Sequence, residues 1–111
     1  MANCEKFRVI YADPFKVQIA VLKSFKALCK QFPNAPTFQC ANAGAVMWED
    51  EGEMWFAMVI PRGLPVQTIA HECVHAADFI MENAGVPAEG NTEIRAYLME
   101  HIMTQVLDGP R

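Results

Sequence analysis

The stretch His71-Glu72-Cys73-Val74-His75 carries the strongest structural signal in this chain. On a helix, residues i and i+4 lie on one face, so the two imidazoles can converge on one ion, about 2.0 to 2.1 Å from each nitrogen. Glu72 is rotated by roughly 100° around the axis, so its carboxylate can reach a water on the ion without binding the ion itself. The spacing therefore predicts a zinc site with an adjacent general base.

The residues around this motif predict a helix that contains it. Apolar residues recur at helical spacing from Leu64 to Met81, and Pro65 lies in the first turn, where proline is tolerated. Gly85 and Pro87 favour the end of the helix, because glycine readily adopts the left-handed conformation and proline cannot continue a helix. The alternative is an amphipathic helix on which the motif arose by chance.

A second helix is predicted over residues 91–103, with an Asn or Thr cap at its start. The short connection should fold it back antiparallel on the first helix. Glu93, Tyr97, Glu100 and His101 share one face of it. A catalytic zinc needs a third protein ligand and one open position, and Glu93, Glu100 or His101 can each complete the set. Helical geometry alone does not choose among them.

Upstream of the two helices, the sequence predicts shorter elements. Residues 7–11 resemble a strand, and a turn at residues 12–14 is expected to begin a helix that runs through about residue 30. Residues 45–49 and 53–60 are expected to form a β-hairpin. The order of elements predicts an α+β fold.

Composition and charge limit the class of protein. The chain has 111 residues, of which 52% are hydrophobic and 20% charged, so one domain spanning residues 1–111 with a single core is expected. The net charge of -4 gives no basic surface for nucleic acid. No apolar run approaches the length that spans a bilayer, and no signal peptide is evident, so we expect a cytoplasmic protein without membrane contact.

The four cysteines lie at positions 4, 29, 40 and 73, with no Cys-x-x-Cys spacing. This pattern argues against a structural zinc knuckle and favours reduced thiols of a cytoplasmic protein. Cys73 lies within the motif but is rotated away from the two histidines. We expect it to pack in the core rather than to bind metal.

The pattern HExxH at residues 71–75, followed by ExxA at 93–96, resembles the gluzincin metallopeptidases. The runs HECVHAAD and EIRAY are similar to small metallopeptidases of bacteriophages and prophages, and the resemblance covers residues 69–107. It implies a minimal zincin-like domain: an N-terminal strand and helix, a β-hairpin, the HExxH helix and an antiparallel C-terminal helix. It also implies Glu93 as the third zinc ligand, a peptide or protein substrate and, for a phage protein, the host cytoplasm as location.

The sequence departs from larger gluzincins at Tyr97. Those proteins often have an aspartate at this place, four residues after the ligating glutamate, which orients a zinc-bound histidine. Asp78, one turn after His75, or a backbone carbonyl can take over that orienting role here. The alternative is that Asp78 pairs with Arg95 across the two helices.

The expected reaction is hydrolysis of a peptide bond by a Glu-activated, metal-bound water. Zinc lowers the pKa of this water, Glu72 accepts its proton, and Glu72 later protonates the leaving amine. An oxyanion donor is also needed, and the candidates in order are Tyr97, His101, Tyr11 and Arg62. Glu72, Tyr97 and His101 are therefore the predicted catalytic residues. For Tyr97 the alternative is a ring packed between the two helices.

The hairpin strand at residues 54–60 precedes the motif helix directly. By the resemblance, its free edge would bind an extended substrate as an added strand. The alternative is that Trp55, Phe56 and Met58 pack in the core and that this edge is covered.

Three functions remain compatible with the sequence. The first is a zinc peptidase. The second is a zinc-binding, noncatalytic phage protein that docks on a host regulatory or defence protein. The third is a structural protein whose motif is accidental. Nothing in the sequence fixes the oligomeric state.

Overall fold

The computed structural model describes residues 7–37 and 42–108. It contains a four-stranded mixed sheet and three helices, so the predicted α+β class is confirmed. In chain order the elements are β1 (Arg8–Ala12), β2 (Val17–Leu22), α1 (Phe25–Gln31), β3 (Gly44–Asp50), β4 (Glu53–Val59), α2 (Val66–Asn83) and α3 (Thr92–Asp108).

The strands are arranged in the order β1-β2-β4-β3. β1 and β2 form an antiparallel pair, and β3 and β4 form the predicted hairpin. The two pairs join through a short parallel ladder, in which residues 20–22 of β2 face residues 57–59 of β4. β4 therefore lies inside the sheet and has a partner on each side.

The predicted helix from the turn at 12–14 to about residue 30 is wrong in its first half. Val17, Ile19 and Val21 lie in strand β2, and α1 begins only at Phe25. β-branched residues at alternate positions favour a strand. Residues 19–22 of β2 are apolar because both faces of the strand are covered, and such a run also fits the helical period. The hydroxyl of Ser24 accepts a hydrogen bond from the Ala27 N–H at 3.0 Å and caps the short helix.

Helices cover both faces of the sheet. The larger core lies under α2 and α3, and the smaller one lies under α1. Alternate strand residues supply the two cores, since successive side chains point to opposite faces. Ile19, Val21 and Met58 face the helical pair, whereas Ala20 and Leu22 face α1.

The end of α2 was predicted correctly at Gly85. This residue has φ 75°, and its N–H donates to the Glu82 carbonyl, while the Val86 N–H donates to the Met81 carbonyl. These two bonds form a Schellman motif, which satisfies the last carbonyls of the helix. The chain then turns back, and α3 begins after Asn91, whose carbonyl accepts from the Arg95 N–H at 3.1 Å.

The predicted free strand edge at residues 54–60 is wrong for residues 57–59. β4 pairs with β3 along its whole length and with β2 at residues 57–59, so the exposed edge on the hairpin side belongs to β3. Phe56 and Met58 pack in the larger core, as the alternative expected, whereas Trp55 remains 39% exposed on the opposite face.

Within residues 7–37 and 42–108, no helix combines the length and the apolar character needed to cross a bilayer.

Candidate functional site

Helix α2 separates the residues of the motif between two faces. Ile69, Cys73 and Ile80 are completely buried against the sheet and α3. His71 and His75 lie on the outer face and are exposed. The helical period places them there, because both are rotated by about 160° from the buried residue two positions away.

The two histidine rings converge. Their Nε2 atoms are 3.2 Å apart, and the rings meet edge to face with centroids 4.7 Å apart. Two nitrogens that share one tetrahedral zinc ion, each at 2.0 to 2.1 Å, would be separated by about 3.4 Å. The observed separation therefore fits a shared ion. It also fits a hydrogen bond between the rings when one Nε2 carries a proton.

Glu72 lies beside this pair with a buried stem. The residue is 8% exposed, and in the described part of the chain its side chain makes no hydrogen bond and no ion pair. Among the described residues, the side-chain nitrogen or oxygen that is both sealed from solvent and without a hydrogen-bond partner is Nε2 of His101. The carboxylate oxygens of Glu72 also have no partner, so they still contact solvent. A carboxylate in this position is free to accept a proton from a water at the protein surface.

Cys73 belongs to the core, as expected. It is completely buried, and this burial, together with the neighbouring charge of Glu72, raises the pKa of its thiol to about 12. Metal binding requires the thiolate. Cys73 therefore contributes packing to the site rather than a ligand.

The predicted third ligand lies on a different helix from the histidines. Glu93 is exposed in the first turn of α3 and lines a surface depression of about 620 Å³ together with Tyr97, Glu100 and Met103. Across residues 7–37 and 42–108, no three His, Cys, Asp or Glu side chains are grouped so that they could hold a metal ion. The role of Glu93 stays a prediction.

Tyr97 and His101 form a second ring pair on α3. The rings stack in parallel with centroids 5.9 Å apart. Tyr97 is 55% exposed, so it is not packed between the two helices. Gln105, one turn after His101, exchanges hydrogen bonds with the backbone of Tyr11, which places this flank of α3 against β1.

The four oxyanion candidates all lie outside helix α2, which carries the histidine pair. Met99 faces α2, and His101 is rotated from it by about 160° around α3. Tyr11 lies on β1, and Arg62 is exposed in the connection between β4 and α2. Their role as donors stays a prediction.

Asp78 pairs with Arg95, as the alternative expected. Nε of Arg95 donates to one carboxylate oxygen at 2.7 Å, and a terminal nitrogen donates to the other at 3.0 Å. These bonds, together with the negative charge of Asp78, raise the pKa of Arg95. Asp78 thus links α2 to α3 with both carboxylate oxygens.

A small cavity beside the motif was not anticipated from the sequence. It measures about 260 Å³ and is lined by Val74, Thr92, Arg95, Ala96 and Met99. The sequence feature that indicates such a cavity is the small residue Ala96, which lies on the same flank of α3 as Thr92 and Met99. Only the packing of α2 against α3 places Val74 opposite this flank.

Comparison with known proteins gives no relative: no family model, no curated protein and no solved structure matches this chain.

Proposed function

We propose that this protein is a zinc-dependent peptidase, in which His71 and His75 hold the ion and Glu72 acts as general base. The observation that carries the proposal is the 3.2 Å separation of the two Nε2 atoms on an exposed helix face. Glu93, on the following helix, is the third ligand that the sequence resemblance implies. A tetrahedral ion with these three ligands would keep one position open for a substrate or water.

When bound, zinc supplies a Lewis acid that polarises a carbonyl oxygen and acidifies a water molecule. Glu72 then moves the protons: its carboxylate accepts one from the attacking water and delivers it to the leaving amine. No cation in the described part of the chain neutralises this carboxylate. It is therefore available for proton transfer.

The test replaces Glu72 with glutamine and keeps the shape of the side chain. We expect Glu72→Gln to bind zinc as the unchanged protein does, and to lower cleavage of a mixed peptide library by at least about 100-fold, the usual contribution of a general base. Zinc content is measured by elemental analysis and cleavage by mass spectrometry.

Glu82→Gln is the matched control, since Glu82 is exposed near the end of the same helix. It should retain both zinc and activity. Cleavage by Glu72→Gln at the rate of this control would show that Glu72 is not the base, and absence of zinc from the unchanged protein would overturn the proposal as a whole.

A second candidate function follows from the small number of metal-binding side chains beside the histidine pair. Because no third metal-binding side chain joins the histidine pair in residues 7–37 and 42–108, a noncatalytic zinc-binding protein that docks on a host regulatory or defence protein is a second proposal. This candidate predicts stoichiometric zinc together with no cleavage by either the unchanged protein or Glu72→Gln. The peptidase proposal predicts cleavage by the unchanged protein alone.

A further inference from the structure

A cleft opens between β2 and β4 at the end of the sheet where both strands begin. The parallel ladder of these strands joins residues 20–22 to residues 57–59. The same register would place residues 17–19 opposite residues 54–56, but these two segments are not paired with each other. The space between them measures about 450 Å³, which lies in the usual range of small-molecule sites, about 300 to 1,000 Å³.

The end of the ladder leaves backbone polar groups of both strands facing this cleft. The Ile60 N–H donates to the Leu22 carbonyl at 2.8 Å, so alternate residues of the two strands direct their N–H and C=O groups toward each other. By this alternation, the backbone groups of Gln18 and Met54 point into the cleft, beyond the last rung of the ladder. They offer donors and acceptors to a bound molecule.

Two opposite charges line the same cleft without pairing. Lys16 immediately precedes β2, and Glu53 is the first residue of β4. Neither side chain forms an ion pair with any residue that the structure describes. A molecule that carries one carboxylate and one ammonium group can therefore bind to both through charge-assisted hydrogen bonds. Free α-amino acids have this pair of charges.

The remaining wall of the cleft suits an apolar side chain. Val17, Trp55 and Phe56 line it, and Trp55 is 39% exposed. An indole ring offers a broad, flat apolar surface against which another ring or an aliphatic chain can pack.

We infer that the cleft between β2 and β4 binds a free α-amino acid with a large apolar side chain. Lys16 binds its carboxylate, Glu53 binds its ammonium group, and Trp55 contacts its side chain. The site is separate from the histidine pair, because Asn83 in its wall lies about 18 Å beyond His71 along the axis of α2. The inference therefore depends neither on zinc nor on peptide hydrolysis.

The experiment titrates phenylalanine into the full chain and follows backbone and indole N–H resonances by NMR. Phenethylamine, which lacks the carboxylate, and 3-phenylpropionate, which lacks the ammonium group, are titrated in parallel. We expect phenylalanine to bind at least about tenfold more tightly than either analogue, since each analogue loses a hydrogen bond to a charged group. The resonances of Gln18, Met54 and the Trp55 indole should shift, and a chelator should leave the affinity unchanged.

Two variants test the charges of the cleft. Lys16→Gln and Glu53→Gln should each weaken phenylalanine binding by at least about tenfold. Lys26→Gln and Glu89→Gln are the matched controls, because both residues are exposed and lie outside the cleft lining. Both controls should retain the affinity of the unchanged protein, and circular dichroism checks that all four variants are folded.

Several results would overturn the inference. These are no binding of phenylalanine at millimolar concentration, equal binding of phenylalanine and its two analogues, and undiminished binding by both cleft variants. Tighter binding of glycyl-phenylalanine, in which the two charges are farther apart, would exclude a free amino acid as the ligand. Loss of affinity in the presence of a chelator would place the ligand at the histidine pair instead. None of these results bears on peptide cleavage, so the proposed function stands or falls separately.

Discussion

Two pairs of aromatic rings, each formed by residues four positions apart, lie on helices α2 and α3. The two pairs differ in ring geometry and in exposure to solvent. His71 and His75 on α2 meet edge to face, are exposed, and bring two Nε2 atoms to 3.2 Å. Tyr97 and His101 on α3 stack in parallel, and Nε2 of His101 is buried without a partner in the described part of the chain. A spacing of four residues thus brings two rings together, but the neighbouring elements decide whether they form a site for a ligand.

The first prediction concerns the residue between the two histidines. Cys73 should react with a thiol reagent at least about 1,000-fold more slowly than Cys29, because Cys73 is completely buried and must wait for the core to open, whereas Cys29 is exposed. The measurement follows thiol release by absorbance in a background with Cys4→Ser and Cys40→Ser.

Equal rates for Cys73 and Cys29 would mean that the inner face of α2 opens readily. The division of the motif between a buried and an exposed face would then not hold.

The second prediction tests the two ring pairs directly. His75→Ala should lower zinc affinity by more than about 100-fold, which exceeds the usual effect of groups that only orient a ligand. His101→Ala should change it by less than about threefold, since His101 lies on α3, on the flank that Gln105 ties to β1 by hydrogen bonds.

Both affinities are measured by competition with a chromophoric chelator, with Gln67→Ala on the exposed face of α2 as control. If His101→Ala weakens zinc binding as strongly as His75→Ala, the two pairs belong to one site and the comparison fails.

The third prediction uses the buried nitrogen of His101. Replacing it by phenylalanine removes an unsatisfied buried polar atom and keeps a ring beside Tyr97, so the protein should gain about 1 kcal/mol in free energy of unfolding. His75→Phe on the exposed face should show no such gain. Urea denaturation followed by fluorescence measures both variants, and a loss of stability in His101→Phe would indicate that Nε2 has a partner which stabilises the fold.

The smallest effect on stability is expected from the ion pair between Asp78 of α2 and Arg95 of α3. Asp78→Asn should lower Tm by no more than a few degrees, since both side chains are about 40% exposed and exposed ion pairs contribute little. Differential scanning calorimetry at low and high salt measures it, with Glu82→Gln as the matched change at an exposed position. A decrease in Tm that persists unchanged at high salt would assign the effect to lost hydrogen bonds rather than to charge.

The sequence predicts local features of the fold correctly where a single physical cause acts over a few residues. The end of α2 at Gly85 and the hairpin between β3 and β4 were predicted because glycine conformation and turn geometry act over a few residues. The sequence predicts a helix over β2 because its residues 19–22 are apolar and covered on both faces, so they lack the alternation typical of a half-exposed strand. Its pairing with β4 is a contact between distant residues, which no local pattern encodes.

The sequence by itself determined that His71 and His75 share one helix face, with Cys73 turned inward, because helical rotation per residue is constant. It also determined the α+β class through the order of its periodic segments. Only the tertiary structure decided that β4 pairs with β2 as well as with β3, that Asp78 is bound to Arg95, and that Val74 borders a cavity between α2 and α3. Each of these depends on how separate elements pack, and packing is a property of side chains far apart in the chain.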